Sequence, residues 1–298
     1  MTSSIRIRAF AKINLGLKVR ARRPDGYHGI FTVYQTIALH DRLTISLAGS
    51  GAASVECDHP AVPGGPRNLV HRACEQWKRA RNYRGGIKVN LEKKIPIGAG
   101  LGGGSSDAAA TLLGLERLTG NRMEFNMLLK LAARLGSDVP LFLWGGRVLG
   151  CGRGEEVYPL WDFPRRKCLV IFPRFSVSTA EAYRELDRRL ILPLTNTTKG
   201  SSICSFGAWP LFPMEFWGPA ENDFEQVVFA KWPKLARLKA QLIRAGAETA
   251  SLTGSGSAVF ALFDSAPKLD RAAELIPAAW QVFKTRTLPR DEYERLIF

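Results

Sequence analysis

The chain has 298 residues, enough for two domains or for one large one with an ample core. Its hydrophobic content of 46% and charged content of 23% are those of a globular protein, and no apolar run approaches the roughly 18–20 residues that cross a bilayer. Forty-two Lys and Arg against 27 Asp and Glu leave a net charge of +15, a field that favours anionic partners such as nucleotides, diphosphates or nucleic acid.

In chain order, Ile5, Ile7 and Ala9 alternate with arginines and predict a first strand running into FAKINLGLKV. Pro24-Asp25-Gly26, followed by Tyr27 and His28, is a turn: Pro presets φ, Asp bonds locally and Gly takes the left-handed position. FTVYQTIAL and DRLTISLAG read as two further strands, residues 58–66 as a Pro/Gly loop, and NLVHRACEQWKRA as a helix. Ile87, Val89 and Leu91 alternate with polar residues and predict a strand that feeds the glycine-rich stretch PIGAGLGGGSSDAAATLLGL, residues 96–115. Ser105, Ser106 and Asp107 fall where the N-cap and first turn of the following helix are expected. A helix over 124–135 ends at Gly136, and DVPLFLWGGRVLGCGRGEEVYPL reads as a short helix or turn and a strand pair. Residues 161–167 read as a connection, CLVIF as a new strand, and 178–188 and 233–245 as helices. Between those helices, 190–220 has no periodicity and is expected to be a long irregular insertion. The turn Thr253-Gly254-Ser255-Gly256-Ser257 leads into the strand AVFALF. The pattern is α+β in two halves with a boundary near 150–165, and there is no internal repeat.

Five of the seven residues Gly98–Gly104 are glycine, more than a tight strand-to-helix turn requires. A glycine loop opening a helix presents unpaired N–H groups and the positive end of the macrodipole, a cradle for phosphate. Gly98, Gly100 and Gly103 satisfy G-x-G-x-x-G, yet no acidic residue about 20 positions on ends a second strand, and no Lys-Ser or Lys-Thr pair follows the glycines. Dinucleotide-binding and Walker A readings both fail, and the loop reads as a phosphate site of another kind.

Lys12 stands inside the apolar run Ala9–Leu17, sharing a strand face with Asn14. Either it snorkels to the surface, or its ammonium meets an anion, since desolvating it alone costs too much. Asp138, in Leu135-Gly136-Ser137-Asp138-Val139-Pro140, is an N-cap with Pro140 just inside the next helix, or a general base for a hydroxyl nucleophile. Tyr27 and His28 at a loop tip suit base stacking and edge recognition, although such loop pairs are common; Asn68 is ordinarily a helix cap. The Thr253–Ser257 turn is a bare hairpin or a second set of donors facing the glycine loop. The five cysteines are scattered and form no C-x-x-C, which argues against a disulfide framework or zinc site and for the reducing cytoplasm. No signal-peptide apolar core opens the chain, and the basic residues form no block interleaved with aromatics, so neither membrane nor nucleic-acid partners are expected.

Taken together, PIGAGLGGGSSDAAA resembles the central motif of the GHMP kinases, the family of galactokinase, homoserine kinase, mevalonate kinase and phosphomevalonate kinase. AKINLGLKV, RRPDGYHGI, LGSDVPLFLWGG, VSTAEAY, ENDFE and LTGSGSAVFALF follow in that family's order over about residues 9–264. The resemblance implies a two-domain α+β fold, with a ribosomal S5 domain 2-like half at 1–160, a ferredoxin-like half at 161–298, and the active site in the cleft between. It implies ATP as co-substrate with Mg²⁺, whose ligands the sequence does not assign beyond Ser106 as a candidate. Lys12 and Asp138 match the catalytic pair; Pro96, Ile97, Gly98, Ala99, Gly100, Leu101, Gly102, Gly103, Gly104, Ser105 and Ser106 match the ATP-phosphate loop, and Asn68 a position near adenine. Asn14 matches a polar residue near the transferred group, Tyr27 and His28 match residues holding a cytosine, and Tyr183 is a second aromatic wall. The PDGYH segment resembles the branch that phosphorylates the 2-hydroxyl of a cytidine-diphosphate-linked methylerythritol on the non-mevalonate route to isoprenoid precursors. Two rivals stand beside it: a GHMP kinase for mevalonate, homoserine or a sugar, and a silent nucleotide- or RNA-binding protein on the same scaffold.

Overall fold

The computed structural model describes residues 4–120, 122–190 and 220–298. The irregular segment expected at 190–220 falls almost wholly outside them. Two long strands, β1 (Ser4–Arg22) and β2 (His28–Ala48), pair antiparallel and form the spine of a first sheet. β3 (Ala53–Cys57) runs parallel to β4 (Gly86–Glu92), which pairs with the second half of β2; β5 (Arg147–Cys151) and β6 (Glu156–Pro159) extend the sheet from its first half. The two strands expected over 31–39 and 41–49 are one. β1 pairs on both sides of His40-Asp41, and the register shift at Phe10/Ala11, opposite Ile37 and His40, interrupts the pairing without ending the strand.

Helix α1 (Leu69–Arg81) buries Val70, Ala73, Cys74 and Trp77, an i, i+3, i+4, i+7 stripe. Asn68 caps it, accepting from Val70 N–H at 2.8 Å. Helices α2 (Gly103–Thr119) and α3 (Phe125–Leu135) complete that face; the Ala- and Leu-rich side of α2 lies fully buried in the core. A single helical turn, α4 (Leu141–Trp144), precedes β5.

The second sheet has the order β10-β7-β9-β8, all antiparallel: β7 (Lys167–Phe172), β8 (Thr249–Leu252), β9 (Val259–Phe263) and β10 (Gln281–Arg286). Around it stand α5 (Thr179–Leu190), α6 (Glu225–Lys231), α7 (Pro233–Arg244) and α8 (Ala266–Glu274). The last helix, α9 (Arg290–Leu296), returns to the first core: Tyr293 and Ile297 are buried there, and Arg8 N–H donates to Ile297 O at 2.7 Å. A separate apolar cluster joins Ala11, Ile13 and Val33 of the first sheet to Val170, Phe260 and Leu262 of the second, with Ala99 and Leu101 of the glycine loop between them. The loop is therefore clamped where the two sheets meet.

Candidate active site

Lys12 lies near the middle of β1 between two register shifts, at Phe10/Ala11 and Asn14/Gly16. Such bulges re-aim side chains. The Lys12 side chain is 3% exposed, so it does not snorkel. Its ammonium donates to Asn14 Oδ1 at 2.7 Å and stands 3.6 Å from Asp138 Oδ2. Burial pulls the Lys12 pKa below the ordinary lysine value, with the Asp138 carboxylate opposing that pull. Asn14 also accepts from Gly254 N–H at 2.8 Å and Thr253 Oγ1 at 3.2 Å, and donates through Nδ2 to Thr32 Oγ1 at 2.7 Å. Its amide is thus committed to holding Lys12 and the Thr253–Ser257 turn.

That turn faces the glycine loop rather than standing as a bare hairpin. Ala258 N–H donates to Ala99 O at 3.1 Å, and Thr253 Oγ1 to Gly100 O at 3.1 Å. Gly100 and Gly102 have φ of +81° and +72°. A Cβ on Gly100 would run into the Thr253 carbonyl, and one on Gly102 would lie 3.0 Å from Lys12 Cγ, so glycine is required at both. The helix begins earlier than Ser105–Asp107 suggest. Gly102 is the cap residue and no side chain caps α2, because left-handed glycine completes the turn without an Asx or Ser bond. Ser105 sits in the first turn beside a cavity of about 390 Å³ that is also lined by Pro96–Gly104 and Asn68. Ser106 does not line that cavity; its hydroxyl is buried and donates to Phe10 O at 2.7 Å.

On the other side of Lys12 opens a larger cavity of about 810 Å³, lined by Lys12, Asn14, Asp138, Tyr27, His28 and Tyr183. Gly100 and Gly102 line both cavities, so the two meet at the catalytic-pair candidates. Asp138 does not cap a helix, since Pro140 occupies the cap position of α4. Its Oδ1 instead accepts from Tyr34 Oη at 3.0 Å. His28 Nδ1 donates to Arg20 O at 3.0 Å, and Nε2 lies 3.1 Å from Asp187 Oδ1. The His28 and Tyr183 rings stack at 4.9 Å with 11° between planes, so they form one composite wall, not two facing ones. Tyr27 is 58% exposed at the rim, with the Arg153 guanidinium 5.0 Å over its ring.

Sequence reasoning missed Tyr34 and a buried ion cluster beside the smaller cavity. Lys93 Nζ donates to Asp107 Oδ2 at 2.8 Å and to Asp41 Oδ2, while Asp41 Oδ1 accepts from Lys94 N–H at 2.5 Å and Ile95 N–H at 2.8 Å. The cluster ties β2 to both ends of the glycine loop. Burial raises the Asp107 pKa to about 8 against the pull of Lys93, and Asp41 adds to the rise. Tyr34 and Asp41 sit in an apolar alternation, and nothing in it sets them apart from core-lining polar residues.

No group of three His, Cys, Asp or Glu able to hold a metal occurs among the described residues. A magnesium ion that keeps its waters and arrives on a triphosphate needs only one or two protein oxygens. Ser105, in the smaller cavity, fits that requirement.

Residues 68–146 match the profile of the GHMP kinases N terminal domain and residues 215–281 that of the GHMP kinases C terminal domain. The 4-diphosphocytidyl-2-C-methyl-D-erythritol kinase of Solibacter usitatus is 45% identical over 277 residues, covering 92% of this chain and 86% of that protein. The enzyme of the same name from Lachnoclostridium phytofermentans is 37% identical over 289 residues, covering 95% and 97%. A crystal structure of 4-(cytidine 5'-diphospho)-2C-methyl-D-erythritol kinase superposes with a TM-score of 0.75 at 35% identity, covering 95% of this chain and 99% of that one. The homoserine kinase of Cytophaga hutchinsonii shares the fold, with a TM-score of 0.73 at 21% identity. These similarities, spanning both halves of the chain, show that it belongs to the 4-diphosphocytidyl-2-C-methyl-D-erythritol kinase family of GHMP kinases.

Proposed function

We propose that this chain transfers the γ-phosphoryl group of ATP to the 2-hydroxyl of 4-diphosphocytidyl-2-C-methyl-D-erythritol, in isoprenoid precursor synthesis. The observation that carries the reading is the meeting of the two cavities at Gly100 and Gly102, with Lys12 and Asp138 at the junction. Nucleotide on one side and alcohol on the other would bring donor and acceptor together there.

ATP would lie with its phosphates on the N–H groups of the loop 97–104 and the uncapped end of α2, and with its base toward Asn68. The cytidine would lie against the His28–Tyr183 wall with Tyr27 at the rim, which suits a base that stacks and has no counterpart in mevalonate or homoserine. Asp138 would take the proton of the 2-hydroxyl as the oxygen attacks phosphorus and the bond to the ADP oxygen breaks. Lys12, held by Asn14, would place its charge against the transferring oxygens. Mg²⁺, when bound, would neutralise phosphate charge, and Ser105 at the smaller cavity is the residue that would hold it. Residues 1–160 and 161–298 then serve as the two halves enclosing the cleft, except that α9 at the end of the second packs into the core of the first. No helix among the described residues is long and apolar enough to cross a membrane, and Cys57, Cys74, Cys151 and Cys168 are free thiols, which supports a cytoplasmic enzyme.

ADP release with ATP, Mg²⁺ and the cytidyl substrate, beside mevalonate and homoserine, tests the reading. Release with the cytidyl substrate alone is expected. Release with mevalonate or homoserine instead would replace the substrate assignment, and ATP binding without any release would favour a silent scaffold.

A further inference from the structure

Apart from Arg153, which lies over the Tyr27 ring, the stretch LGCGRG at 149–154 has no part in the phosphate loop or the cytidine wall, yet two of its glycines share one neighbour. A Cβ on Gly150 would run into the Tyr34 ring, and one on Gly154 would lie 2.7 Å from Tyr34 Oη. Gly154 has a φ of +106°, so a side chain there is excluded by backbone as well as by space. Together the two glycines form a slot for one phenol. The slot fixes where Tyr34 Oη can be, and that place is 3.0 Å from Asp138 Oδ1.

Tyr34 is 1% exposed, and it faces Asn14 across β1 and Val148 across β5. Burial, with the Asp138 charge beside it, pushes the phenol well above its ordinary pKa, so it stays protonated and is the donor in this bond. Asp138 sits in a turn and caps no helix. Its contact with Lys12 is 3.6 Å, beyond direct hydrogen-bond reach. The orientation of its carboxylate is therefore set from the Tyr34 side. With Oδ1 occupied by the phenol, Oδ2 is the oxygen turned toward Lys12. The same ring lies under the Lys12 ammonium, 5.6 Å from centroid to Nζ.

We propose that Tyr34, seated by Gly150 and Gly154, is a positioning residue for the phosphoryl transfer: it holds Asp138 so that Oδ2 receives the proton of the attacking hydroxyl. The proposal rests on the kinase reading above. The O–H bond of the substrate breaks, its proton goes to Oδ2, and Tyr34 keeps its hydrogen bond to Oδ1 throughout.

Turnover of ATP and the cytidyl substrate is measured for the wild type, Tyr34→Phe, Asp138→Ala and the double variant, each with its thermal midpoint. Tyr34→Phe keeps the buried ring and removes only the donor. It is expected to lower kcat about tenfold, the kinetic equivalent of one hydrogen bond, with both KM values within about twofold. In the Asp138→Ala background the same change is expected to alter kcat by less than about twofold, because there is no carboxylate left to orient. Gly150→Ala, which crowds the Tyr34 ring and has no contact with Asp138, is expected to repeat the kcat loss. A Tyr34→Phe enzyme with wild-type kcat, or an equal loss in both backgrounds, overturns the positioning role while leaving the kinase reading intact. A wild type that binds ATP but turns over no cytidyl substrate overturns the kinase reading, and the proposal with it.

Discussion

Lys12 Nζ stands 3.6 Å from Asp138 Oδ2, the lysine buried at 3% exposure and the aspartate open to the larger cavity at 32%. The asymmetry assigns the work. A buried ammonium held by Asn14 is a fixed charge, whereas a carboxylate facing the cavity can reach a substrate hydroxyl. Replacing Asp138 by Asn is expected to lower kcat by roughly 10²–10⁴-fold, the span of general base catalysis, with ATP binding retained. Near-wild-type turnover in Asp138→Asn would show that another group takes the proton.

The burial of Lys12 carries a pH signature. Desolvation lowers its pKa from 10.5 despite the opposing Asp138 charge, so the ammonium is lost at a lower pH than in an ordinary lysine. The alkaline limb of kcat/KM, which reports the free enzyme, is expected to fall below pH 10.5. Activity holding level through that pH would contradict a charged Lys12 as the working form.

At the other end of the larger cavity, Tyr27→Ala is expected to raise the KM for the cytidyl substrate by about 5–150-fold, matching the loss of one base stack of roughly 1–3 kcal/mol. The KM for ATP should stay put. Steady-state kinetics with each substrate varied in turn separates the two. An unchanged cytidyl KM would remove Tyr27 from the binding surface and leave the His28–Tyr183 wall to hold the base alone.

The buried cluster at the glycine loop makes a stability prediction. Burial raises Asp107 from 3.8 to about 8, so the folded state binds that proton more tightly than the unfolded chain. The contribution to stability is full below about pH 4 and is lost as pH rises toward 8. Asp107→Asn has no such proton. The thermal midpoint of the variant should therefore gain on that of the wild type between pH 5 and pH 8. A gap between the two that does not change with pH would mean Asp107 is ionised in the fold, stabilised by Lys93.

The parts legible in the sequence were those where one residue type has one mechanical meaning. Glycines at 98–104 announced left-handed backbone and close approach, and Pro24-Asp25-Gly26 announced the turn that carries Tyr27 and His28. A lysine within an apolar run announced a buried charge needing an anion. Long-range relations were hidden. Nothing local to Tyr34 names Asp138, more than a hundred positions away, and nothing local to Asp41 names Lys93. The continuity of β2 was hidden as well, because β4 and β5 share one edge of a strand that β1 lines along the other. β8, α6, α8, β10 and α9 went unassigned, since four buried residues such as Thr249–Leu252 have no period to read and the short helices draw their stability from packing.

The central claim is that the cleft joins ATP to one hydroxyl of a cytidyl-linked polyol. The most direct measurement is phosphorus and carbon NMR of the product formed from ATP, Mg²⁺ and 4-diphosphocytidyl-2-C-methyl-D-erythritol carrying carbon-13 in the methylerythritol unit. A single new phosphomonoester signal, coupled to carbon 2 and accompanied by an intact diphosphate, is the predicted result. A phosphoryl group on any other carbon, or ADP formed with inorganic phosphate as the only new species, would contradict it.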